Sequence, residues 1–340
     1  MFGLKTGKNE EIRETSTALA TRVEEFLLQV LAEQTAEEVM ELTKPMFEKY
    51  VLETYGMVPK VIEVVTVDNT KRITGVVHEK FETVLQLVNL EIPVFLTGAA
   101  GTGKNVICQQ TAEALGLDFY FTNAVTQEFQ LKGFTDAHGV YHQTQFFEAF
   151  TKGGLFFLDE IDASVPEALI ILNSAIANGY FDFPAPIGRK EAHESFRVVS
   201  AGNTTGTGAD IEYTGRFQLD ASSLDRFSLV EIDYSPSIEQ YITDGNLELC
   251  EFARTFRKIT TYSSIRCLFS YRSMERIHKM EQFFDSLPEV LKMALVKGLG
   301  VDDLQFICNK FDEYDVDNKY VKALNELCEE QGKDVMNHSY

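Results

Sequence analysis

The sequence has no apolar run approaching the roughly 20 residues that a helix needs to span a bilayer. It also lacks a Cys-x-x-Cys pair, and its N-terminus is polar and charged, unlike a signal peptide. Its five cysteines are scattered along the chain, at Cys108, Cys250, Cys267, Cys308 and Cys328. We therefore expect a soluble cytoplasmic protein with reduced thiols and no membrane partner.

Basic residues are also scarce, with 31 lysines and arginines against 52 acidic residues and a net charge of −21. This balance argues against a general nucleic-acid binder, although a local basic groove or a basic ring pore remains open. Hydrophobic residues make up 44% of the 340 positions. This composition predicts a globular protein of about two domains.

The N-terminal pattern is helical from about Glu10 to Tyr55, with Thr35 and Glu38 spaced as a capping box. Val61–Val67 alternates like a strand, and a second strand is expected over Ile73–Val77. Apolar runs then alternate with helical segments, which predicts a parallel sheet with helices on both faces. The strand candidates are Val94–Thr97, Phe119–Thr122, Leu155–Leu158, Phe196–Ala201 and Leu229–Asp233. After Pro236 the pattern is helical to the end.

A glycine-rich loop follows the first of these strands and opens a helix that should end at Gly116. Strand, glycine turn and helix form the context of a phosphate-binding loop, whose backbone N–H groups surround phosphate oxygens. Lys104 would add a positive charge at the γ-phosphate. Asn105 stands where the motif normally has a serine or threonine for Mg²⁺, so its amide oxygen is the candidate metal ligand. The loop comprises Gly98, Ala99, Ala100, Gly101, Thr102, Gly103, Lys104 and Asn105.

Two carboxylates, Asp159 and Glu160, follow the apolar strand candidate Leu155–Leu158. In an open α/β fold such residues lie at the carboxyl edge of the sheet, where ligands bind. Asp159 should hold Mg²⁺, and Glu160 should orient and polarise the attacking water. The alternative is an acidic helix start, and the phosphate loop upstream argues against it.

Three further positions are candidates. Asn203 ends a buried strand and could reach between the γ-phosphate and the water, although Gly-Asn is also an ordinary turn. Arg226 could complete a neighbouring subunit's site as an arginine finger, or form a surface ion pair with Asp225. Arg216 is the alternative or additional candidate for the finger role. Arg272 could contact the γ-phosphate or lie plainly on a helix surface.

Taken together in this order, these motifs resemble the AAA+ ATPases over about residues 75–310. Two inserts resemble hairpins of the MoxR and dynein/midasin-related branch, at Leu131–Tyr141 and at Tyr180–Lys190. The amino-acid sequence of Asp159–Ser164 and of Ala175–Pro184 is similar to that of members of this branch that bacteriophages carry.

The resemblance implies an AAA+ P-loop NTPase core, with a parallel five-stranded sheet between helices, at 61–235. It further implies a helical lid and tail at 236–340, after an N-terminal helical segment at 1–60. It implies a homo-oligomeric ring, usually a hexamer, that hydrolyses ATP with Mg²⁺ to remodel a protein partner. Arg226 would then act in trans, with Asn203 as first sensor and Arg272 as second.

Two other functions stay open: a nucleotide-gated scaffold in which Asn105 slows hydrolysis, and a DNA-associated phage motor, which the acidity disfavours. His138 and His142 are four residues apart, but the intervening residues are not helical, so no zinc site is expected. Phe129, Phe134 and Tyr141 would face a ring pore and grip substrate, although local packing is the simpler interpretation.

Overall fold

The computed structural model describes residues 60–65, 70–209, 213–263 and 265–337. The helical segment expected between Glu10 and Tyr55, with its capping box, lies outside these residues. In chain order the strands are β1 (Lys60–Val65), β2 (Thr70–Gly75), β3 (Val94–Thr97), β4 (Phe119–Thr122), β5 (Phe134–Thr135), β6 (Tyr141–His142), β7 (Gly154–Leu158), β8 (Tyr180–Phe183), β9 (Gly188–Glu191), β10 (Phe196–Gly202) and β11 (Ser228–Glu231).

Helices lie between the successive strands of the central sheet as far as β11 and then follow one another. In chain order they are α1 (Phe81–Asn89), α2 (Lys104–Leu115), α3 (Phe129–Lys132), α4 (Gln145–Lys152), α5 (Pro166–Asn178), α6 (Ala221–Leu224), α7 (Pro236–Ile242), α8 (Leu247–Ser263), α9 (Tyr271–Met280), α10 (Leu287–Ala294), α11 (Val301–Glu313) and α12 (Lys319–Asn337). Among the residues described, no helix is both long and apolar enough to cross a membrane.

The central sheet has five strands in the order β11-β3-β10-β7-β4, all parallel. This confirms the predicted parallel sheet and all five strand candidates within one or two residues. Because the strands run the same way, the residues after β3, β7 and β10 meet at one edge.

Apolar side chains cover both faces of this sheet. In β7, Leu155 and Phe157 belong to one hydrophobic cluster, whereas Phe156 and Leu158 belong to another. Successive strand residues point to opposite faces, so a continuously apolar strand is buried on both sides. Phe156 and Phe157 are both fully buried, which explains why the strands appear in the sequence as unbroken apolar runs.

Three antiparallel hairpins accompany the sheet: β1–β2, β5–β6 and β8–β9. The last two confirm the hairpins expected within Leu131–Tyr141 and Tyr180–Lys190. β2 occupies Thr70–Gly75, three residues earlier than the strand expected at Ile73–Val77. Val77 instead packs beneath the sheet, beside Phe81 of α1.

The C-terminal helices α7–α12 confirm the helical pattern expected after Pro236 in the residues described. They enclose a hydrophobic cluster of their own, in which Phe252 of α8 stacks on Phe311 of α11 and Tyr320 of α12. α7 begins with Pro236 at its first turn, where a missing N–H leaves no hydrogen bond unmade.

Candidate functional site

The glycine-rich loop joins β3 to the first turn of α2, as predicted. Gly101 and Gly103 adopt φ angles of 78° and 91°, in the left-handed region that glycine enters without strain. At Gly98 a Cβ atom would lie 2.0 Å from the carbonyl oxygen of Ile232, so a side chain cannot fit there. The loop is therefore packed directly against the backbone that follows β11.

Lys104 is buried at the centre of this loop. Its Nζ donates to the carbonyl oxygens of Gly98 at 2.6 Å and Ala99 at 3.0 Å, and to Asn203 Oδ1 at 3.1 Å. Burial lowers the pKa of Lys104 to about 8, although Asp159 and other nearby carboxylates oppose this shift. The structure therefore brings Lys104 and Asn203, 99 residues apart in the chain, into direct contact.

Asp159 and Asn105 form the second part of the site. The Asn105 Nδ2 group donates to Asp159 Oδ2 at 3.0 Å, and the backbone N–H of Glu160 donates to Asp159 Oδ1 at 3.0 Å. Asp159 supplies a carboxylate oxygen of the kind that Mg²⁺ prefers, and the Asn105 amide could add a second oxygen only after a rotation that turns its nitrogen away from Asp159. Within the described part of the chain, no group of three or more His, Cys, Asp or Glu residues could hold a metal.

Glu160 follows Asp159 with a φ angle of 54°, which is uncommon for a residue with a side chain. Its side chain is 39% exposed, and its carboxylate accepts from Arg216 Nη2 at 3.3 Å. The turn places Glu160 and Asp159 on the wall of the same cleft. This arrangement fits a carboxylate that contacts a water molecule beside a phosphate group.

Asp162 is a site residue that the sequence motifs did not reveal. It is fully buried, and its Oδ2 accepts from the backbone N–H groups of Asn203 and Thr204 at 3.0 and 2.9 Å. The Thr204 hydroxyl donates to the same oxygen at 2.9 Å. Asp162 thus fixes the turn that presents Asn203. The signal in the sequence that could have indicated this residue is a third carboxylate within three residues of Asp159 and Glu160.

A cleft of about 390 Å³ lies between the glycine-rich loop and the C-terminal helices, within the size range of small-molecule sites. Lys104, Asn105, Asp159, Glu160, Asn203 and Arg272 line its polar part. Val76, Ile107, Ile238, Tyr241, Ile242 and Tyr271 line its less polar part. The lining of the cleft therefore combines polar and charged groups that suit an anion with apolar side chains that suit an apolar ring.

The C-terminal helices are tied to the glycine-rich loop at two points. The Tyr234 hydroxyl, just before α7, donates to the carbonyl oxygen of Ala100 at 3.1 Å. At Gly101 a Cβ atom would lie 2.6 Å from the Cβ of Ser270, the N-cap of α9. Arg272, in the first turn of α9, is exposed and reaches the cleft. A contact between Arg272 and the γ-phosphate stays a prediction.

The two remaining arginines, Arg226 and Arg216, occupy different places relative to the site. Arg226 immediately precedes β11 and donates to the carbonyl oxygen of Ser222. Because β11 pairs in parallel with β3, Arg226 lies at the amino edge of the sheet, opposite the loop that follows Thr97. β3 and β11 have four residues each, and such a strand is ~13 Å long at about 3.3 Å per residue. This length separates the edge that carries Arg226 from the edge that carries the phosphate loop. Arg216, in contrast, lies inside the site, paired with Glu160 and Asp162.

The aromatic residues expected near a pore divide into two groups. Phe129 and Phe134 are about half exposed and pack edge to face, and His142 stacks on Phe134 at 4.8 Å. Tyr141 packs against Phe147 and donates to the carbonyl oxygen of Lys132 at 2.8 Å. Local packing therefore accounts for Tyr141, while Phe129 and Phe134 remain accessible.

Residues 93–227 match the family profile of the AAA domain, dynein-related subfamily. A search of curated proteins returned no match. Structural similarity extends to NtrX from Brucella abortus in complex with ADP, at 18% identity over 62% of this chain and 46% of that one, with a TM-score of 0.37. A second NtrX structure is 15% identical over 87% of this chain and 73% of that one, with a TM-score of 0.42. A RuvB variant from Thermotoga maritima is 16% identical over 71% and 70%, with a TM-score of 0.34. The chain spans less than half the length of the first NtrX chain.

The profile match and the five-stranded parallel sheet together identify an α/β P-loop NTPase fold with an AAA domain, followed by C-terminal helices.

Proposed function

We propose that this chain is an ATPase that binds ATP with Mg²⁺ at the Gly98–Asn105 loop and hydrolyses it. The observation that supports this most directly is the convergence of Lys104, Asn203 and Glu160 on one cleft, from three separate elements. A binding site alone would need the cation but not a carboxylate placed to contact water. AAA domains are generally ATPases, and residues 93–227 match their profile.

The loop residues from Gly98 to Asn105 would surround the β- and γ-phosphates with backbone N–H groups, and Lys104 would neutralise their charge. Asp159 and Asn105 would hold Mg²⁺, which stabilises negative charge on the phosphates when it is bound. The apolar side chains of the lining, among them Ile238 and Tyr271, would contact the base.

Glu160 would accept a proton from the attacking water or polarise it, and Asn203 would position the same water relative to the γ-phosphate. Arg272 would contact the γ-phosphate from the C-terminal helices. Since α9 also packs on Gly101 through Ser270, nucleotide occupancy and the position of these helices would be coupled.

We further propose a homo-oligomeric ring, a hexamer, in the cytoplasm, of the MoxR-like branch that bacteriophages also carry. Arg226 supports it: the residue lies at the edge of the sheet opposite its own phosphate loop, as a group serving a neighbouring subunit would. The ring would remodel a protein partner. The proposed units are 1–60, the core at 61–235 and the helical lid with its tail at 236–340.

A second function is a nucleotide-gated scaffold with slow or no hydrolysis. One observation favours it: Asn105 replaces the usual hydroxyl residue, and its amide nitrogen faces Asp159. In that case ATP would hold the assembly together without being consumed.

The test is a comparison of wild type with Glu160→Gln, with Glu82→Gln on the exposed face of α1 as the matched control. Phosphate release and ATP binding are measured on the same samples. The ATPase proposal expects Glu160→Gln to bind ATP normally and to lose turnover, while Glu82→Gln keeps both. Turnover of Glu160→Gln near the wild-type rate would contradict it, and binding without turnover in wild type would favour the scaffold.

A further inference from the structure

Arg216 joins two carboxylates of its own chain. Its Nη2 lies 3.3 Å from Glu160 Oε1, and its Nη1 lies 3.3 Å from Asp162 Oδ1. The arginine side chain is only 11% exposed. It comes from the chain between β10 and α6, and its partner Glu160 lies on the wall of the cleft.

The Asp162 end of this pair is rigidly held. Asp162 is fully buried, and its second carboxylate oxygen accepts three hydrogen bonds, two from Thr204 and one from the backbone N–H of Asn203. The Phe217 N–H donates to the Asp162 carbonyl oxygen at 2.7 Å. One nitrogen of the Arg216 guanidinium is therefore fixed by a carboxylate that cannot itself turn.

The segment carrying Arg216 is also attached to the phosphate loop. The hydroxyl of Tyr213 accepts from the backbone N–H of Ala100 at 2.9 Å. The Tyr213 ring centre lies 5.8 Å from the Arg216 guanidinium carbon. The segment is thus held on one side by Ala100 and on the other by Asp162, with Arg216 between these two points.

Glu160 has less support of its own. Its side chain is 39% exposed, and a long exposed side chain populates several rotamers unless a partner selects one. Arg216 contacts only Oε1, so the second oxygen stays available to a water molecule.

We propose that Arg216 is a positioning residue that orients Glu160 within its own subunit's site. This inference rests on the proposed ATPase function and deepens it. It also assigns to Arg216 a role different from that of an arginine finger. To reach a neighbouring subunit, the guanidinium would have to leave Asp162, and an uncompensated charge in a fully buried position is strongly unfavourable.

The first test separates positioning from structural support. Arg216→Gln should lower kcat on the order of 10²-fold through misplacement of Glu160, with little change in the Kd for ATP. Arg216→Lys should recover part of kcat, because an ammonium group can meet one carboxylate but cannot bridge two as the guanidinium does. Arg216→Gln should also lower the melting temperature, because the buried Asp162 loses a charged partner, so the deciding readout is ATP binding. If both variants lose ATP affinity together with kcat, the role is structural and the proposal is wrong.

The second test asks whether Arg216 acts in its own subunit, by mixing variants in equal amounts. Lys104→Ala subunits cannot bind ATP but still carry both arginines. Mixed with Arg226→Gln, they should restore hydrolysis. Each Lys104→Ala subunit would then supply its Arg226 to the ATP site of an adjacent Arg226→Gln subunit. Mixed with Arg216→Gln, they should restore none, because every ATP-binding subunit still lacks its own Arg216. Recovery in this second mixture would overturn the assignment. Wild type without hydrolysis would instead overturn the ATPase proposal, and the Arg216 assignment with it.

Discussion

Asn105 and Asp159 lie 54 residues apart in the chain, and their side chains meet at 3.0 Å, amide nitrogen to carboxylate oxygen. Asn105 belongs to the first turn of α2, and Asp159 follows β7. The one departure from the usual phosphate-loop pattern is therefore in direct contact with the carboxylate best placed to hold a metal ion. An amide that donates to Asp159 must present its oxygen elsewhere, and a rotation about its last bond exchanges the two ends.

This contact predicts how Asn105 affects the metal requirement. If its amide oxygen is a ligand, Asn105→Ala should raise the Mg²⁺ concentration needed for half-maximal turnover, with a smaller effect on ATP binding, which depends on the backbone and Lys104. Asn105→Thr should be neutral or mildly activating, because a hydroxyl suits the octahedral geometry of Mg²⁺. The measurement is a Mg²⁺ titration of phosphate release. Identical metal dependence in the three proteins would show that Asn105 does not contact the ion.

Lys104 predicts a pH dependence of ATP binding. Its pKa of about 8 in the empty site means that the ammonium loses its proton as pH rises above that value. Polyphosphate binding favours the charged form, and ATP itself has no phosphate group that titrates there. Above pH 8, binding should therefore take up a proton, and affinity should fall by up to about tenfold per pH unit. Titrations in EDTA, between pH 7 and 9.5, measure this without any metal.

The matched variants for this prediction are Lys104→Arg and Lys104→Ala. Arginine keeps its charge throughout this range, so the slope should disappear whatever its absolute affinity. Alanine should cost about 2–5 kcal/mol of binding free energy at pH 7, where the lysine is mostly charged. A wild-type affinity that is constant between pH 7 and 9.5 would contradict the lowered pKa of Lys104, whereas unchanged ATP affinity in Lys104→Ala would contradict its role in binding.

Gly98 predicts a stability effect that needs no nucleotide. Its φ of 144° and a Cβ position 2.0 Å from the Ile232 carbonyl oxygen mean that Gly98→Ala must displace backbone. We expect a loss of ~2 kcal/mol or more in the free energy of unfolding. Gly215→Ala is the control, since nothing lies within 4 Å of its Cβ position, and it should change stability by less than about 0.5 kcal/mol. Equal melting temperatures for the two variants would contradict the close packing of the loop against the backbone that follows β11.

Arg226 predicts that hydrolysis depends on assembly. If it completes a neighbour's site, turnover per subunit should rise with protein concentration, and light scattering should show larger particles when ATP is present. Arg226→Gln should reduce turnover by on the order of 10³-fold and leave ATP binding intact. A monomer whose specific activity is the same at every concentration would rule out the role in trans.

The sequence predicted the framework of the site because its signals are local. β3, the glycine turn and the apolar run of β7 each lie within a few consecutive residues, and a parallel sheet brings their ends to one edge. The contact between Lys104 and Asn203 follows from this topology.

The contacts of Arg216 could not be predicted in the same way. Its pairing with Glu160 and Asp162 depends on the path of the segment after β10, which has no periodic pattern, and on Tyr213 reaching Ala100. Nothing local in the sequence distinguishes an arginine that faces its own site from one that faces a neighbour. The same holds for Asp162, whose burial beneath Asn203 and Thr204 only the tertiary structure shows.

The central claim is that the site that binds ATP also hydrolyses it, and a single-turnover experiment tests it most directly. Protein in excess over γ-labelled ATP is mixed with Mg²⁺, and bound ATP and released phosphate are followed in the same sample for wild type, Glu160→Gln and Lys104→Ala. We predict conversion of bound ATP by wild type, bound but unconverted ATP with Glu160→Gln, and no bound ATP with Lys104→Ala. Conversion by Glu160→Gln at the wild-type rate, or by Lys104→Ala without detectable binding, would contradict this claim.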